Sequence, residues 1–218
     1  MTFNLPEHLL TEIDSLPSDL PAVLLLRHAE RQPIAPGDDG IETDLTPFGY
    51  AQAVAFGQRL RGRLTWAHYS PLLRAQRTVE QFMVGALLAE LPSSKNNLLG
   101  NPGPFVVDRK AGQHLFATLG TECLVKKLAA GESFNGIRSS QEGAKLFVEH
   151  LRKLLDSKIG LGVMISHDAI LIPLLAAWTG ECFQNKWLAP LDGAVIVVNQ
   201  QLSLSIHRNN KITELSIC

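Results

Sequence analysis

Apolar runs of two kinds alternate along the chain, and together they predict a sheet covered by helices. A continuous apolar run at 22–26 is typical of a strand that is buried on both faces. A helix is predicted to begin at Thr46, because threonine is a favoured N-cap and Pro47 suits the first helical position. Strands that alternate with helical patterns favour a mostly parallel sheet between two helical layers. We therefore expect an α/β fold, a three-layer α/β/α sandwich with a mostly parallel central sheet.

The remaining segments extend this pattern to the end of the chain. Further strands are predicted at 65–69, 105–107 and 162–166, and further helices at 142–155 and 169–178. Ser70-Pro71 repeats the cap-then-proline start and predicts a helix, capped by Ser70, that runs to about residue 90. The stretch 91–104 is rich in Pro, Gly, Asn and Ser and predicts a loop. Two strands at 194–198 and 202–207, joined by the polar link 199–201, predict a terminal hairpin. Residues 1–218 are expected to form one domain, with an insertion over the sheet at about 108–138.

Composition and charge limit the partners that the protein can have. With 20 basic and 21 acidic residues, no net charge favours nucleic acid or an anionic membrane, so any anion site must be local. Cys123, Cys182 and Cys218 are far apart and lack metal-ligand spacing, which argues against a disulfide framework. The first twenty residues lack the pattern of a secretory signal, and the apolar segment 161–178 is too short and too polar to span a membrane. A cytoplasmic location is expected, while the oligomeric state has no signature in the sequence.

Polar clusters stand at the carboxyl ends of three predicted strands. They are Arg-His-Ala-Glu-Arg at 27–31, Ser-Pro-Leu-Leu-Arg at 70–74 and Ser-His-Asp at 166–168. Ligands of open α/β sheets bind in the crevice beyond the carboxyl ends of the strands. Each motif alone is more often structural, as a helix cap or a hydrogen-bonded histidine. Their common position at strand ends is what indicates a shared site.

Phosphoryl transfer explains why histidines and arginines should meet there. Arginine offers planar, permanently charged donors that match the oxygens of a phosphoryl group. An imidazole among several cations stays neutral more readily, and a neutral imidazole can attack phosphorus as a nucleophile. The arrangement therefore favours a small phosphorylated substrate and requires neither a metal nor an organic cofactor.

Four segments resemble the histidine phosphatase superfamily, which includes the phosphoglycerate mutases and the acid phosphatases. Residues 26–30 resemble its Arg-His-Gly signature, 44–53 its Leu-Thr-x-x-Gly-x-x-Gln-Ala helix, 69–78 its Ser-x-Leu-x-Arg-Ala segment and 165–167 its late strand-end histidine. The matches follow the family's order from about residue 23 to 198. This resemblance implies a phosphoglycerate mutase-like fold, in which His28 is the nucleophile and Arg27, Arg74 and His167 bind the phosphoryl group.

The departures from the family pattern leave the proton donor open. Arg31 and Pro33 are similar to the Arg-His-Gly-x-Arg-x-Pro form of the acid phosphatase branch, which adds Arg31 to the expected phosphate-binding residues. The mutase branch often supplies a glutamate in an Asp-x-x-Leu-x-Glu pattern, where this chain has Gln113. Asp168 is the preferred donor because it adjoins His167. Glu30 and Glu122 are the alternatives.

The predicted function is hydrolysis of a small phosphate monoester through a phosphohistidine on His28. A phosphomutase of the phosphoglycerate mutase type, a non-catalytic phospholigand-binding module and a metal-dependent hydrolase are the rivals. The Arg-His-Ala-Glu-Arg start and Leu191-Asp192-Gly193 are also similar to small bacterial phosphatases of lipopolysaccharide core heptose phosphates, although those proteins are exported. Asp38-Asp39 between two glycines is interpreted as a turn, and the loops 32–43 and 96–136 are expected to set the substrate.

Overall fold

A seven-stranded mixed sheet forms the centre of the molecule. The computed structural model describes residues 3–35, 37–198 and 203–215. Its strands are β1 (Ala22–Arg27), β2 (Leu64–Tyr69), β3 (Ser93–Lys95), β4 (Leu161–Ser166), β5 (Gly193–Val198), β6 (Leu204–Arg208) and β7 (Lys211–Leu215). They lie in the order β3-β2-β4-β1-β5-β6-β7. Strands β3, β2, β4 and β1 are parallel to one another, and β5 to β7 continue the sheet antiparallel.

Helices cover both faces of this sheet. They are α1 (Glu7–Ser15), α2 (Pro47–Arg59), α3 (Leu73–Ala86), α4 (Arg109–Leu119), α5 (Thr121–Ala129), α6 (Ser140–Leu155) and α7 (Asp168–Thr179). Alternate residues of β1 enter two separate cores: Val23 and Leu25 pack with α5, α6 and α7, while Leu24 and Leu26 pack with α1, α2 and α3. Because both faces of β1 are buried, its sequence is continuously apolar. The predicted three-layer α/β/α sandwich is confirmed, although the sheet is mixed where a mostly parallel one was predicted, because β5, β6 and β7 pair antiparallel.

Several element predictions differ from the structure. Residues 105–107 form no strand beyond an isolated bridge between Val106 and Ile137, because Phe105 instead packs its ring against Gly143 of α6. Strand β3 lies inside the stretch predicted as a loop. Helix α1, with buried Leu9, Leu10 and Ile13, and strand β7 were not predicted. The predicted link Asn199-Gln200-Gln201 lies outside the described residues.

The start of α3 is displaced from its predicted position. The helix begins at Leu73, and its N-cap residue Leu72 makes no side-chain capping bond. Ser70, which was predicted to cap this helix, hydrogen-bonds to His167 across the sheet edge instead. The helix also ends at Ala86, about four residues earlier than expected. The Ser-Pro pattern therefore predicted a helix cap where the serine instead contacts His167 in the candidate site.

The segment predicted as an insertion contains α4 and α5. Helix α5 packs against α7 and buries Leu124, Val125 and Leu128. Helix α4 buries only Gly112 among its residues. Helix α4 in turn packs against α5. Among the described residues, no helix is both long enough and apolar enough to cross a membrane.

Candidate active site

The three predicted clusters meet at one edge of the sheet. Strands β2, β4 and β1 are neighbours and run parallel, so Ser70, His167 and His28 all follow strand ends at the same edge. Backbone bonds continue past the strands: the His28 N–H donates to the Ser166 carbonyl at 3.0 Å, and the Ser70 N–H donates to the Ile165 carbonyl at 2.9 Å. The ring centroids of His28 and His167 lie 5.2 Å apart. The loops are therefore held in register where the two imidazoles face each other.

His28 is held in a single tautomer. Its Nδ1 lies 2.7 Å from the carbonyl oxygen of Ala29, and a carbonyl can only accept, so Nδ1 carries the proton. Nε2 is left with a lone pair, and Arg74 Nε donates to it at 3.1 Å. Burial, followed by the electrostatic effects of His167 and of the Arg74 cation, holds the pKa of His28 well below its ordinary value. At neutral pH the ring is therefore unprotonated.

Arg74 connects His28 to two other parts of the site. It is buried on α3, and its Nη1 donates to the Gly40 carbonyl at 2.6 Å. Burial and the nearby charge of Arg31 lower the pKa of Arg74 to about 10, which still leaves it cationic at neutral pH. One turn later, Thr78 Oγ1 donates to the Arg74 carbonyl and accepts from the Ala29 N–H, at 2.7 and 3.1 Å. Thr78 thus fixes the His28 loop to the helix that carries Arg74.

His167 places a second imidazole beside that of His28. Its Nε2 lies 2.7 Å from Ser70 Oγ, and that oxygen also accepts weakly from the Leu72 N–H at 3.4 Å. When the Ser70 hydroxyl donates to Nε2, His167 carries its proton on Nδ1. That Nδ1 is buried and has no partner among the described residues. An unpartnered buried donor is costly, and an oxygen of a bound anion would satisfy it.

Gly100 packs directly against this pair, a position that the sequence pattern did not single out. It has a φ of +152°, which side-chain-bearing residues rarely adopt. A Cβ atom built there would lie 2.7 Å from both His167 Cδ2 and Ser70 Oγ. The loop is held in place by Ser166, whose hydroxyl donates to the Leu99 carbonyl at 2.7 Å. The one feature of the sequence that could have indicated this position is a glycine within the loop 96–136, which was expected to set the substrate.

Replacing Gly100 by alanine is expected to lower kcat/KM for phosphate ester hydrolysis by ~10²-fold, because His167 and Ser70 must move away from the added methyl group. Gly120→Ala is the matched control. Gly120 also has a positive φ, of 74°, but an added Cβ would meet nothing within 4 Å. Both variants should lose about 1–3 kcal/mol of unfolding free energy from backbone strain. Equal activity in the two variants would show that Gly100 does not position the histidine.

Arg27 and Asp168 form an ion pair at the side of the site. Arg27 Nη2 lies 2.8 Å from Asp168 Oδ2, which also accepts from Trp187 Nε1 at 3.0 Å. Arg27 Nη1 donates to the Leu188 carbonyl. Burial lowers the pKa of Arg27, and the charge of Asp168 opposes that shift. The guanidinium therefore has fixed partners on two of its nitrogens before any substrate binds.

A cavity of about 550 Å³ opens over the two histidines. Five of the predicted site residues line it: His28, Arg31, Arg74, His167 and Asp168. The other three are not in its lining. Arg27 lies behind Asp168, Glu30 accepts from the Thr46 hydroxyl at 2.8 Å, and Glu122 is exposed and paired with Lys126 at 2.7 Å.

Asp39 is a carboxylate in the cavity lining that was interpreted from the sequence as part of a turn. Its Oδ1 does accept the Ile41 N–H at 3.0 Å, as an aspartate in a turn would. It also lines the same cavity as His28 and Asp168. Asp39 therefore both stabilises a turn and lines the cavity, and the sequence pattern indicates only the turn.

The two buried imidazoles predict how stability depends on pH. The pKa values of His28 and His167 are both lowered in the folded protein, mainly by burial and then by neighbouring positive charge. The unfolded chain therefore takes up protons first as the pH falls below about 6.5. We expect the unfolding free energy to decrease below that pH, by up to about 1.4 kcal/mol per pH unit for each of these rings. Urea unfolding between pH 7 and pH 5 should show a shallower slope for His28→Asn than for the unaltered protein. An identical slope would contradict the assignment.

Metal-ligating side chains do not cluster in the part of the chain that the structure describes. Within residues 3–35, 37–198 and 203–215, no group of three or more His, Cys, Asp or Glu is placed to hold a metal ion. Independence of metal ions stays a prediction.

Comparison with known proteins relates this geometry to a family. Residues 23–90 match the model of the histidine phosphatase superfamily, branch 1. No curated protein matches the sequence. Among solved structures, YhfR of Bacillus stearothermophilus is 15% identical with a TM-score of 0.60, covering 87% of this chain and 96% of its own. A phosphoglycerate mutase from Bacillus anthracis is 14% identical with a TM-score of 0.59, covering 89% and 95%.

A third similar structure is a mycobacterial glucosyl-3-phosphoglycerate phosphatase in complex with inorganic phosphate. It is 16% identical with a TM-score of 0.58, covering 87% of this chain and 97% of that one. At such identities the three likenesses establish the fold. The resemblance of this chain to the histidine phosphatase superfamily is thereby confirmed, through the family model over residues 23–90 and a shared fold over most of its length.

Proposed function

We propose that this protein is a phosphatase that hydrolyses a phosphate monoester through a covalent phosphohistidine on His28. The observation that carries the proposal is the state of that ring. Nδ1 is fixed as a donor to the Ala29 carbonyl, so Nε2 has the lone pair, which accepts from Arg74 Nε; Arg74 and Arg31 both line the same cavity. A neutral nucleophile next to fixed positive charge suits attack on an anionic phosphorus centre.

In the first step, the Arg74 Nε–H leaves His28 Nε2 for an oxygen of the bound phosphoryl group, and the freed lone pair attacks phosphorus in line with the ester oxygen. The N–P bond forms as the P–O bond breaks, and the departing alkoxide takes a proton from a carboxylic acid. The positive charge that develops on the ring is stabilised through the Nδ1–H bond to the Ala29 carbonyl. Arg74 and the unpartnered Nδ1–H of His167 donate to the equatorial oxygens, where negative charge is spread.

In the second step, water attacks phosphorus on the side opposite His28. The carboxylate left by the first step accepts the proton of that water, and the N–P bond breaks. Inorganic phosphate leaves, and His28 returns to its neutral form. Arg27 contributes indirectly in this proposal, because its guanidinium holds Asp168 beside His167.

Two carboxylates in the described lining can serve as the proton donor, and they differ in their surroundings. Asp168 Oδ2 already accepts from Arg27 and Trp187. Asp39 is exposed, and its carboxylate accepts a local hydrogen bond from the Ile41 N–H. Asp168 keeps the first place because it directly follows His167. Asp39 replaces Glu30 and Glu122, which stand outside the lining, as the alternative.

Removal of the donor should affect alkyl esters far more than aryl esters, because an aryl oxide leaves without protonation. Asp168→Asn is expected to lower kcat/KM for an alkyl phosphate by ~10²–10⁴-fold and for p-nitrophenyl phosphate much less. Asp39→Asn is measured in parallel. If the alkyl-specific loss appears in the Asp39 variant alone, Asp39 is the donor. If a variant loses kcat/KM equally for alkyl and aryl esters, the replaced residue is not the proton donor.

The reaction catalysed can be tested with the intact protein and a panel of phosphorylated metabolites, assayed with a chelator present. Release of inorganic phosphate supports the phosphatase. Recovery of an isomeric phosphate ester from a phosphoglycerate would identify a phosphomutase, which the likeness to a mutase fold keeps as the second candidate. Activity that disappears with the chelator would indicate a metal-dependent hydrolase.

Other expectations remain part of this proposal. They are a single domain over residues 1–218 with an insertion at about 108–138, a cytoplasmic location and the finer similarity to heptose phosphate phosphatases. Cys123 and Cys182 are free thiols, as a reducing compartment would favour.

A further inference from the structure

The cavity over the histidines is far larger than a phosphoryl group needs. Its volume of about 550 Å³ is in the range of pockets that enclose an organic ligand of substantial size. The imidazoles and Arg74 occupy one end. The remaining space must therefore accommodate the alcohol part of the ester, and the side chains around it indicate the chemistry of that part.

The interior of this remaining space is apolar. Phe105, Leu124, Val125, Leu128 and Ile170 are buried in its wall, at 8% exposure or less. Val106 and Ile137 complete this part of the wall. The polar residues of the lining that lie outside the histidine and arginine end are all exposed, and so stand at the rim: Asp39, Asn101, Arg109, Gln113 and Thr121.

Helix α4 covers open space on this side of the core. Only Gly112 of its residues is buried, and it lines the cavity. Phe116, one turn later on the same face, also lines the cavity and remains 36% exposed. A phenylalanine in a covering helix normally gains stability by burial in the core. Here the ring borders open space, which an apolar ligand would fill.

We propose that the substrate is the phosphate monoester of an aliphatic or aromatic alcohol, whose hydrocarbon part lies between α4, α5 and the 100–106 loop. This inference rests on the proposed phosphatase function. A sugar phosphate would bring several hydroxyl groups against buried side chains that cannot hydrogen-bond, which is unfavourable. A phosphoglycerate carboxylate would have to reach Arg109 at the exposed start of α4.

A series of n-alkyl phosphates from ethyl to octyl tests this directly, with p-nitrophenyl phosphate and a sugar phosphate alongside. The leaving alkoxides are chemically alike along the series, so changes in kcat/KM report burial of the chain. We expect kcat/KM to rise about three- to fourfold per added methylene, as removal of a CH₂ from water predicts. The sugar phosphate should be slower than butyl phosphate. A flat series, or one that favours the sugar phosphate, would overturn the inference.

A wall variant and a matched control locate the effect. Phe116→Ser should flatten the chain-length dependence, with the largest loss for octyl phosphate. Val107→Ser provides the control, because Val107 is 62% exposed, lies nearby in sequence and is not in the lining. It should leave the whole series unchanged. A dependence on chain length that is the same in both variants would contradict the placement of the hydrocarbon part.

Equilibrium binding separates this inference from the proposed function. Calorimetric titration with n-alkylphosphonates, which cannot be hydrolysed, should show affinity rising with chain length whether or not turnover occurs. Hydrolysis of every ester with no preference for chain length would leave the phosphatase standing and overturn the apolar pocket. Tighter binding of longer phosphonates without hydrolysis of p-nitrophenyl phosphate would support the pocket and overturn the phosphatase.

Discussion

Replacing His28 by alanine is expected to lower kcat/KM for p-nitrophenyl phosphate by at least ~10⁴-fold, with a chelator present throughout. The reason is that the covalent route is lost with the imidazole, while Arg31, Arg74 and His167 remain to bind the anion. An aryl phosphate has a good leaving group, so the assay reports the nucleophile without demanding the acid. Steady-state kinetics of the purified variant provide the measurement.

The control for His28 is His114→Ala, an exposed histidine of α4 outside the cavity lining. It should retain full activity. The His28 variant should still bind inorganic phosphate, since the charged donors are unchanged. Turnover within tenfold of the unaltered protein would rule out nucleophilic catalysis by His28. Phosphate binding in the unaltered protein without any turnover would instead favour the non-catalytic binding module.

The second large effect is expected at Arg74. Arg74→Lys should lower kcat/KM by ~10²–10³-fold, the cost of removing one preorganised donor from developing charge. A lysine keeps the positive charge but cannot reproduce the fork that donates Nε to His28 and Nη1 to Gly40. The loss should therefore appear mainly in kcat and not in substrate binding.

A matched variant lies on the same helix. Arg77 is about 39% exposed and forms a surface pair with Glu80 at 2.7 Å, so Arg77→Lys should leave both kcat and KM unchanged. Comparable losses at positions 74 and 77 would mean that disturbance of α3, rather than the donors of Arg74, limits the reaction. If Arg74→Lys regains full activity at high substrate concentration, Arg74 contributes only to substrate binding.

The sequence predicted the meeting of the histidines well, for a simple geometric reason. Parallel neighbouring strands end at one edge, and the apolar runs before Arg27 and Ser166 are unambiguous strands buried on both faces. Once β1, β2 and β4 are adjacent, side chains that directly follow them are necessarily close. At the antiparallel end of the sheet, β7 was not predicted. The apolar and polar residues of this short strand do not alternate clearly enough to distinguish it from a loop.

The details of the site depended on contacts between distant segments. The role of Gly100 follows from its approach to His167, 67 positions away, and local sequence carries no trace of that neighbour. The Ser70 hydroxyl was expected to cap a helix because the Ser-Pro pattern is typical of helix starts, yet tertiary contact with His167 prevailed. The apolar wall is assembled from α4, α5, the 100–106 loop and Ile170. These are separate in sequence and ordinary core residues in composition, so only their spatial arrangement reveals the pocket.

The central claim is that the phosphoryl group is carried by His28, and trapping the intermediate tests it most directly. The protein is mixed rapidly with p-nitrophenyl phosphate and quenched in alkali, where phosphohistidine survives, and its peptides are analysed by mass spectrometry. The account predicts one added phosphoryl group on the peptide that contains His28, formed as fast as p-nitrophenol is released and absent from His28→Ala. Continued turnover with no modified peptide, or with the phosphoryl group on another residue, would contradict it.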